Sequence, residues 1–165
     1  MVLTLVVMTG SAYLYGQKYG HCNLGGLIAQ MPETKAADSE LETFQKQLVA
    51  KGEEMATKFQ QNYAAFVKDA QEGILTPKQQ QERQGALQQE QQAILQYEQE
   101  ITQKVNEKRE ELLKPLFDKA TEAIKAVAKE NGYVMIFDTS VFNAVLFATD
   151  TEDVLPLVKA KLGLK

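Results

Sequence analysis

The apolar positions of this chain fall into two regimes. Residues 1–8 (MVLTLVVM) and 133–149 hold short, dense apolar runs and 18–24 (KYGHCNL) a short alternating one, whereas residues 33–130 carry one thin stripe in a polar background. Within 33–72, Leu41, Phe44, Leu48, Met55, Phe59, Phe66 and Ala70 recur at spacings of three, four and seven, which is one narrow face of a helix. At 1.5 Å per residue that helix would extend about 60 Å, more than a small domain is wide. The run from Gly73 to Pro77 breaks the pattern. Gly73 suits a left-handed helix end, Thr76 an N-cap and Pro77 the first helical position. A return helix is expected from Pro77 to about Glu130, on a stripe of Leu87, Ile94, Tyr97, Ile101, Val105, Leu112, Leu116, Ala120, Ile124 and Val127. Pro115 lies inside it and is expected to kink it. So short a break makes the two helices an antiparallel hairpin.

The flanking runs predict a small second body. Lys18–Leu24 reads as a strand, Leu27–Met31 as a helical turn, and Pro32-Glu33 as a helix entry. Asn131-Gly132 ends the return helix. Tyr133–Phe137 is a strong strand, Asp138–Ser140 a turn, and Val141–Thr149 a second strand, bent at Asn143. A last short helix holds Leu155, Leu157, Val158 and Leu162; Asp150 or Asp153 can cap it, and Pro156 favours Asp153. Strands on either side of the hairpin bring chain entry and exit together in a body of roughly 50 residues, marginal for a monomeric core. Oligomerisation is the usual remedy. The expected class is α+β.

Residues 1–8 are too few to span a bilayer as a helix, which takes about 20. They suit the apolar part of a secretory signal peptide, with cleavage near Ala12 or after Gly16, although no Lys or Arg precedes them. A buried strand and a membrane anchor are the alternatives. The domain reading is therefore a signal peptide at 1–16, a body at 17–32 and 131–165, and a helical hairpin arm at 33–130 with its turn near 73–77. Export would place Cys22 in an oxidising compartment, where a lone cysteine reads as a small buried hydrophobe. Gly20-His21 before it is the wrong context for lipid attachment.

Composition sharpens this picture. Of 18 glutamines, 16 lie between Gln45 and Gln103, a stretch with one proline and few Ile or Val, so the core must be built from the ends of the chain. The net charge of −4, with no Lys/Arg-rich run, gives no reason to expect nucleic acid as a partner. One cysteine excludes an internal disulfide framework and a Cys-rich zinc site. His21 and Cys22, adjacent in a strand, point to opposite faces, which works against a catalytic pair. Gly25-Gly26 lacks a phosphate-loop pattern, and no serine nucleophile elbow is present. Asp138 reads as a turn aspartate. Glu98, Glu100, Glu107, Glu110 and Glu111 interleave with Lys104 and Lys108 as a solvated face. No catalytic, cofactor-binding or metal-ligating residue is assigned, and no enzyme is expected. The hairpin stripe can either zip the two helices together or stay partly available to non-native chains, to which Met and aromatic side chains adapt well.

The two ends carry a resemblance. Residues 18–31 (KYGHCNLGGLIAQM) followed by Pro32-Glu33, then 133–138 (YVMIFD), 145–149 (VLFAT) and Asp153-Val154 before the closing helix, resemble the Skp/OmpH periplasmic chaperones in content and order. The resemblance implies a jellyfish-like homotrimer. A small β-rich trimerisation body would join three antiparallel coiled-coil arms around a central cavity. It further implies a periplasmic holdase that binds unfolded outer-membrane β-barrel proteins without ATP, with no cofactor and no stable membrane insertion. The resemblance assigns no individual client-binding residues; from the stripe itself, Phe44, Met55, Phe59, Tyr63, Phe66, Leu87 and Tyr97 are candidates for client contact. Val134, Ile136, Val145 and Phe147 are candidates for the trimer body. The alternative is a structural or adaptor coiled coil of the cell envelope. The best-known members are strongly basic, whereas here residues 33–72 hold 8 acidic against 5 basic side chains. Apolar contact should therefore carry more of the grip.

Overall fold

The computed structural model describes residues 16–164, so the expected leader lies almost wholly outside the described residues. The chain divides into two compact units. One holds the described residues up to Leu27 together with those from Ala120 onward, and the other holds Ile28–Lys119. The elements run β1 (Lys18–Cys22), α1 (Leu24–Gln30), α2 (Pro32–Gln71), α3 (Pro77–Asn131), β2 (Tyr133–Asp138) and α4 (Leu155–Leu162), with a 3₁₀ turn at Asp150–Glu152 before α4. Long helices and one small sheet thus make the architecture. No helix among the described residues is long and apolar enough to cross a membrane.

In the first unit β1 and β2 pair in parallel, with Tyr19 opposite Met135, Gly20 opposite Ile136 and His21 opposite Phe137. Parallel strands need a long crossover, and here the crossover includes both long helices. β2 is apolar up to its closing Asp138 and rich in β-branched and aromatic residues, a composition suited to a strand, yet Val134, Met135 and Phe137 are exposed. β1 also engages the segment after the 3₁₀ turn: the Val154 amide donates to the His21 carbonyl at 2.9 Å. That occupies the second edge of β1. The outer edge of β2 has no backbone partner among the described residues.

Packing in this unit is tight around small residues. Cys22, Leu27, Ala120, Ala123, Val127, Val154 and Val158 are buried. Gly20 is buried too, and a Cβ there would lie 2.9 Å from Tyr133 Cε1 and 3.0 Å from Val154 Cγ1, so only glycine fits. Val154 stands at the N-cap position of α4, and Asp153 Oδ1 accepts the Leu155 amide at 2.8 Å.

The expected strand at Val141–Thr149 does not form. The Ala144 amide donates to the Val141 carbonyl in a turn, Asn143 adopts φ +60°, and residues 145–148 join no strand ladder among the described residues. The run is β-prone, but β-propensity takes effect only against a neighbouring strand. One edge of β1 is filled by residues 153–154 and the other by β2. The expected β-rich body is accordingly two strands of 5 and 6 residues.

In the second unit α2 and the paired part of α3 run antiparallel, as their cross-contacts show. Glu33 pairs with Lys119, Glu40 with Lys108 at 2.9 Å, Asn62 with Glu90 at 2.8 Å, and Asp69 with Arg83 at 2.6 Å. The turn chemistry is local. Gly73 takes φ +69°, and the Ile74 and Gly73 amides donate to the Asp69 and Ala70 carbonyls, which closes α2 in a Schellman motif. Thr76 and Gln79 then form a reciprocal capping box at the start of α3: Gln79 N donates to Thr76 Oγ1, and Thr76 N donates to Gln79 Oε1 at 2.9 Å. Ile28, Met31, Ala37, Tyr97, Val105 and Leu116 are the buried apolar residues here. Two helices alone cover one side of each stripe, so most of it stays half-exposed.

Candidate functional site

The polar groups of the first unit are structurally engaged. Asp138 ends β2, and its Oδ1 accepts hydrogen bonds from the Ser140 amide at 2.8 Å, the Ser140 hydroxyl at 2.7 Å and the Leu24 amide at 3.2 Å. Burial pushes its carboxyl up, but these donors outweigh that and hold it below the ordinary carboxylate value. It thus ties the β2 turn to the first turn of α1. His21 Nε2 lies 3.0 Å from the Thr149 carbonyl and anchors the far end of the irregular run. Cys22 is buried, and burial, helped by the charges of Asp153 and Asp138, pushes its thiol up to about 11. These three groups perform packing and loop-tethering roles. Among the described residues no cluster of His, Cys, Asp and Glu could hold a metal ion.

The same unit presents a large apolar surface. Phe142 is 91% exposed, Leu146 89% and Phe147 84%, and Val134, Met135, Phe137 and Val141 are also exposed. Tyr19 and Phe137 face each other with ring centroids 6.4 Å apart. A groove of about 600 Å³ runs between this pair and residues 144–149. Of the trimer-body candidates, Val134 and Phe147 are exposed, while Ile136 and Val145 are half-buried. An apolar patch of this kind, beside an unpaired strand edge, is a surface built to be covered.

In the second unit the client-contact candidates divide by exposure. Tyr63 is exposed; Phe44, Met55, Phe59, Phe66 and Leu87 are half-buried; Tyr97 is buried. Phe59 and Tyr63, one turn apart on α2, stack with centroids 6.2 Å apart. Tyr97 packs across the helix pair against Gly52, with Lys51 and Lys104 5.4 and 5.5 Å from its ring centroid. Gly52 is the position that sequence reasoning passed over. The available signal was an isolated glycine inside a helical stripe, three residues from both Val49 and Met55, which usually has a packing or functional reason.

A short parallel sheet whose strands are separated by two very long antiparallel helices, with its large apolar side chains turned outward, defines a mostly helical interaction protein. The sequence matches the family described as outer membrane protein (OmpH-like) over residues 18–162, and the chain belongs to that family. Its fold is shared with a candidate outer membrane chaperone (OmpH-like) from Caulobacter crescentus CB15. The TM-score is 0.72 at 19% identity, covering 97% of this chain and 90% of that one. No protein of curated function matches the sequence significantly.

Proposed function

We propose that this protein is an ATP-independent periplasmic holdase that binds unfolded outer-membrane β-barrel proteins and keeps them from aggregating. The observation that carries the reading is the incomplete burial of the helix-pair stripe. Two helices of 40 and 55 residues leave Phe44, Met55, Phe59, Phe66 and Leu87 half-exposed among glutamines. Such a surface offers many weak apolar contacts and no fixed geometry, which suits a changing, unfolded partner. Membership of the OmpH-like family supports it, as does the fold shared with a candidate outer membrane chaperone. In this reading residues 1–16 act as the export signal and residues 33–130 as a coiled-coil arm.

The proposal includes a homotrimer held together by the first unit. The open edge of β2 of one copy would take the 145–148 run of the next, a head-to-tail contact that closes into a ring. Val134→Asp and Ile136→Asp should each dissociate the particle in sedimentation velocity, because assembly would bury the new charge. An intact trimer in both would overturn this interface.

The holdase itself is tested by diluting a urea-unfolded β-barrel client into stoichiometric protein. Light scattering should stay low, and aggregation at the rate of the client alone refutes the reading. Phe59→Ser or Phe66→Ser should weaken suppression with helicity retained. A structural or adaptor coiled coil is the second reading, favoured by the regular cross-pairs Glu33–Lys119, Glu40–Lys108 and Asp69–Arg83. It predicts one folded partner and no capture of unfolded chains.

A further inference from the structure

Gly52 is the only glycine inside α2, a position where glycine is costly to a helix. Packing does not demand it. A Cβ there would lie 3.6 Å from Tyr97 Cε1 and 3.9 Å from Ile101 Cδ1, both ordinary contact distances. The helix therefore forgoes a side chain that it has room for. What the absence leaves is a notch of about 280 Å³ on the helix pair, walled by Val49, Met55, Ile94, Tyr97 and Ile101. An apolar cavity of about 150 Å³ suffices for a benzene ring.

A second, independent observation concerns Tyr97, which lines this notch. It is only 7% exposed, and its hydroxyl is buried with no hydrogen-bond partner. Buried hydroxyls are nearly always paired, and one left unpaired is costly. A third observation is the charge at the rim. Glu53 and Glu98 also line the notch, and neither carboxylate takes part in an ion pair among the described residues, whereas of the two lysines beside the Tyr97 ring Lys104 is paired with Glu100 at 2.8 Å.

We infer that the notch at Gly52 seats one large apolar side chain of an unfolded polypeptide, next to a lysine or arginine that faces Glu53 and Glu98. The backbone of the bound segment would supply the missing partner of the Tyr97 hydroxyl. The apolar walls set the side-chain class, and the acidic rim sets its neighbour. The inference rests on the holdase reading and gives it a discrete anchoring point.

The test uses the full chain and, as probe, a fluorescently labelled β-barrel polypeptide diluted from urea, with affinity read by anisotropy. Gly52→Leu fills the notch and should weaken binding at least five-fold while circular dichroism shows full helicity. Gly52→Ala should lie between. Tyr97→Phe keeps the ring and its packing but removes the hydroxyl, and should weaken binding about three-fold. If Gly52→Leu is fully helical and binds within two-fold of the parent, the notch is overturned and the holdase reading stands. Should Gly52→Leu lose helicity, Tyr97→Phe decides, and parental affinity in that variant overturns the inference. A parent that does not bind the probe overturns both readings. If Gly52→Leu changes sedimentation in the absence of probe, the notch belongs to another copy of the chain, and the inference is again overturned.

Discussion

Replacing Gly20 by alanine places one methyl group where the structure has no room for it. The new Cβ would sit 2.9 Å from Tyr133 Cε1, a separation that real Cβ atoms essentially never show, and 3.0 Å from Val154 Cγ1, tighter than nearly all real Cβ contacts. Neither neighbour moves away freely. Val154 is fully buried and its amide is bonded to the His21 carbonyl, while Lys18 Nζ lies 4.1 Å over the Tyr133 ring. Overpacking of this kind costs about 1–3 kcal/mol. Alanine recovers about 0.4–1 kcal/mol by restricting the unfolded chain. The expected net loss is about 1–2 kcal/mol, or roughly a 5- to 30-fold rise in the open population. Far-UV circular dichroism would be dominated by α2 and α3, so the assay is native-state hydrogen exchange at the Thr139 and Val154 amides, which bond β1 on its two sides. Both should exchange roughly 5- to 30-fold faster, with amides in residues 40–70 unchanged. Val154→Ala removes one clashing methyl, so Gly20→Ala with Val154→Ala should be less damaging than the two effects added together. Unchanged exchange in the single variant, or strict additivity in the pair, refutes the packing argument.

Three further outcomes follow from the geometry. The carboxyl of Asp138 is held below its ordinary value in the folded state, so its contribution is present above pH 4 and is lost as pH falls through the folded value. Between pH 5 and 3 the urea midpoint of the parent should fall more steeply than that of Asp138→Asn, and parallel slopes would contradict this. With its thiol pushed up to about 11 and its side chain buried, Cys22 should react with an aromatic disulfide reagent only at the rate of local opening at pH 7.5, and fast in denaturant. Gly85 sits inside α3 with nothing within 4 Å of a built Cβ, so Gly85→Ala should raise stability by about 0.4–1 kcal/mol; a lower melting temperature would mean that this position is in contact with something.

What the sequence made legible was whatever is encoded locally. The 3.6-residue stripe from Leu41 to Ala70 needs no partner to be recognised, and neither do Gly73, Thr76 and Pro77, whose roles are set within a few residues. The strands at 18–22 and 133–138 were visible as runs, but their parallel pairing was not, because it depends on which distant segment arrives beside them. Residues 141–149 show the same limit from the other side. Val145, Leu146 and Phe147 have the composition of a strand, yet a strand is a relation between two segments, and no edge among the described residues takes them. Gly52 was passed over for a different reason: stripe-counting records side chains that are present, and a notch is made by one that is missing.

The two units handle their apolar residues in opposite ways, and the contrast bears on how the protein works. In the first unit the buried positions are mostly small, with Gly20, Cys22, Ala120, Ala123 and Val154 at the centre, while Phe137, Phe142, Leu146 and Phe147 face outward. A chain that folded for itself alone would place these residues the other way round, since its largest side chains bring the most stabilisation when buried. Large outward residues concentrated beside an open strand edge favour a fixed, repeated contact such as another copy of the same chain. The helix pair spreads its exposure instead, one half-covered side chain per turn or two, with Phe44, Met55, Phe59 and Phe66 separated by polar residues. No single contact there is large, so no single partner is specified. Concentrated exposure at one unit and dilute exposure at the other are what the proposed self-assembling holdase would require: a strong, specific grip on itself and a weak, unspecific one on whatever unfolded chain it meets.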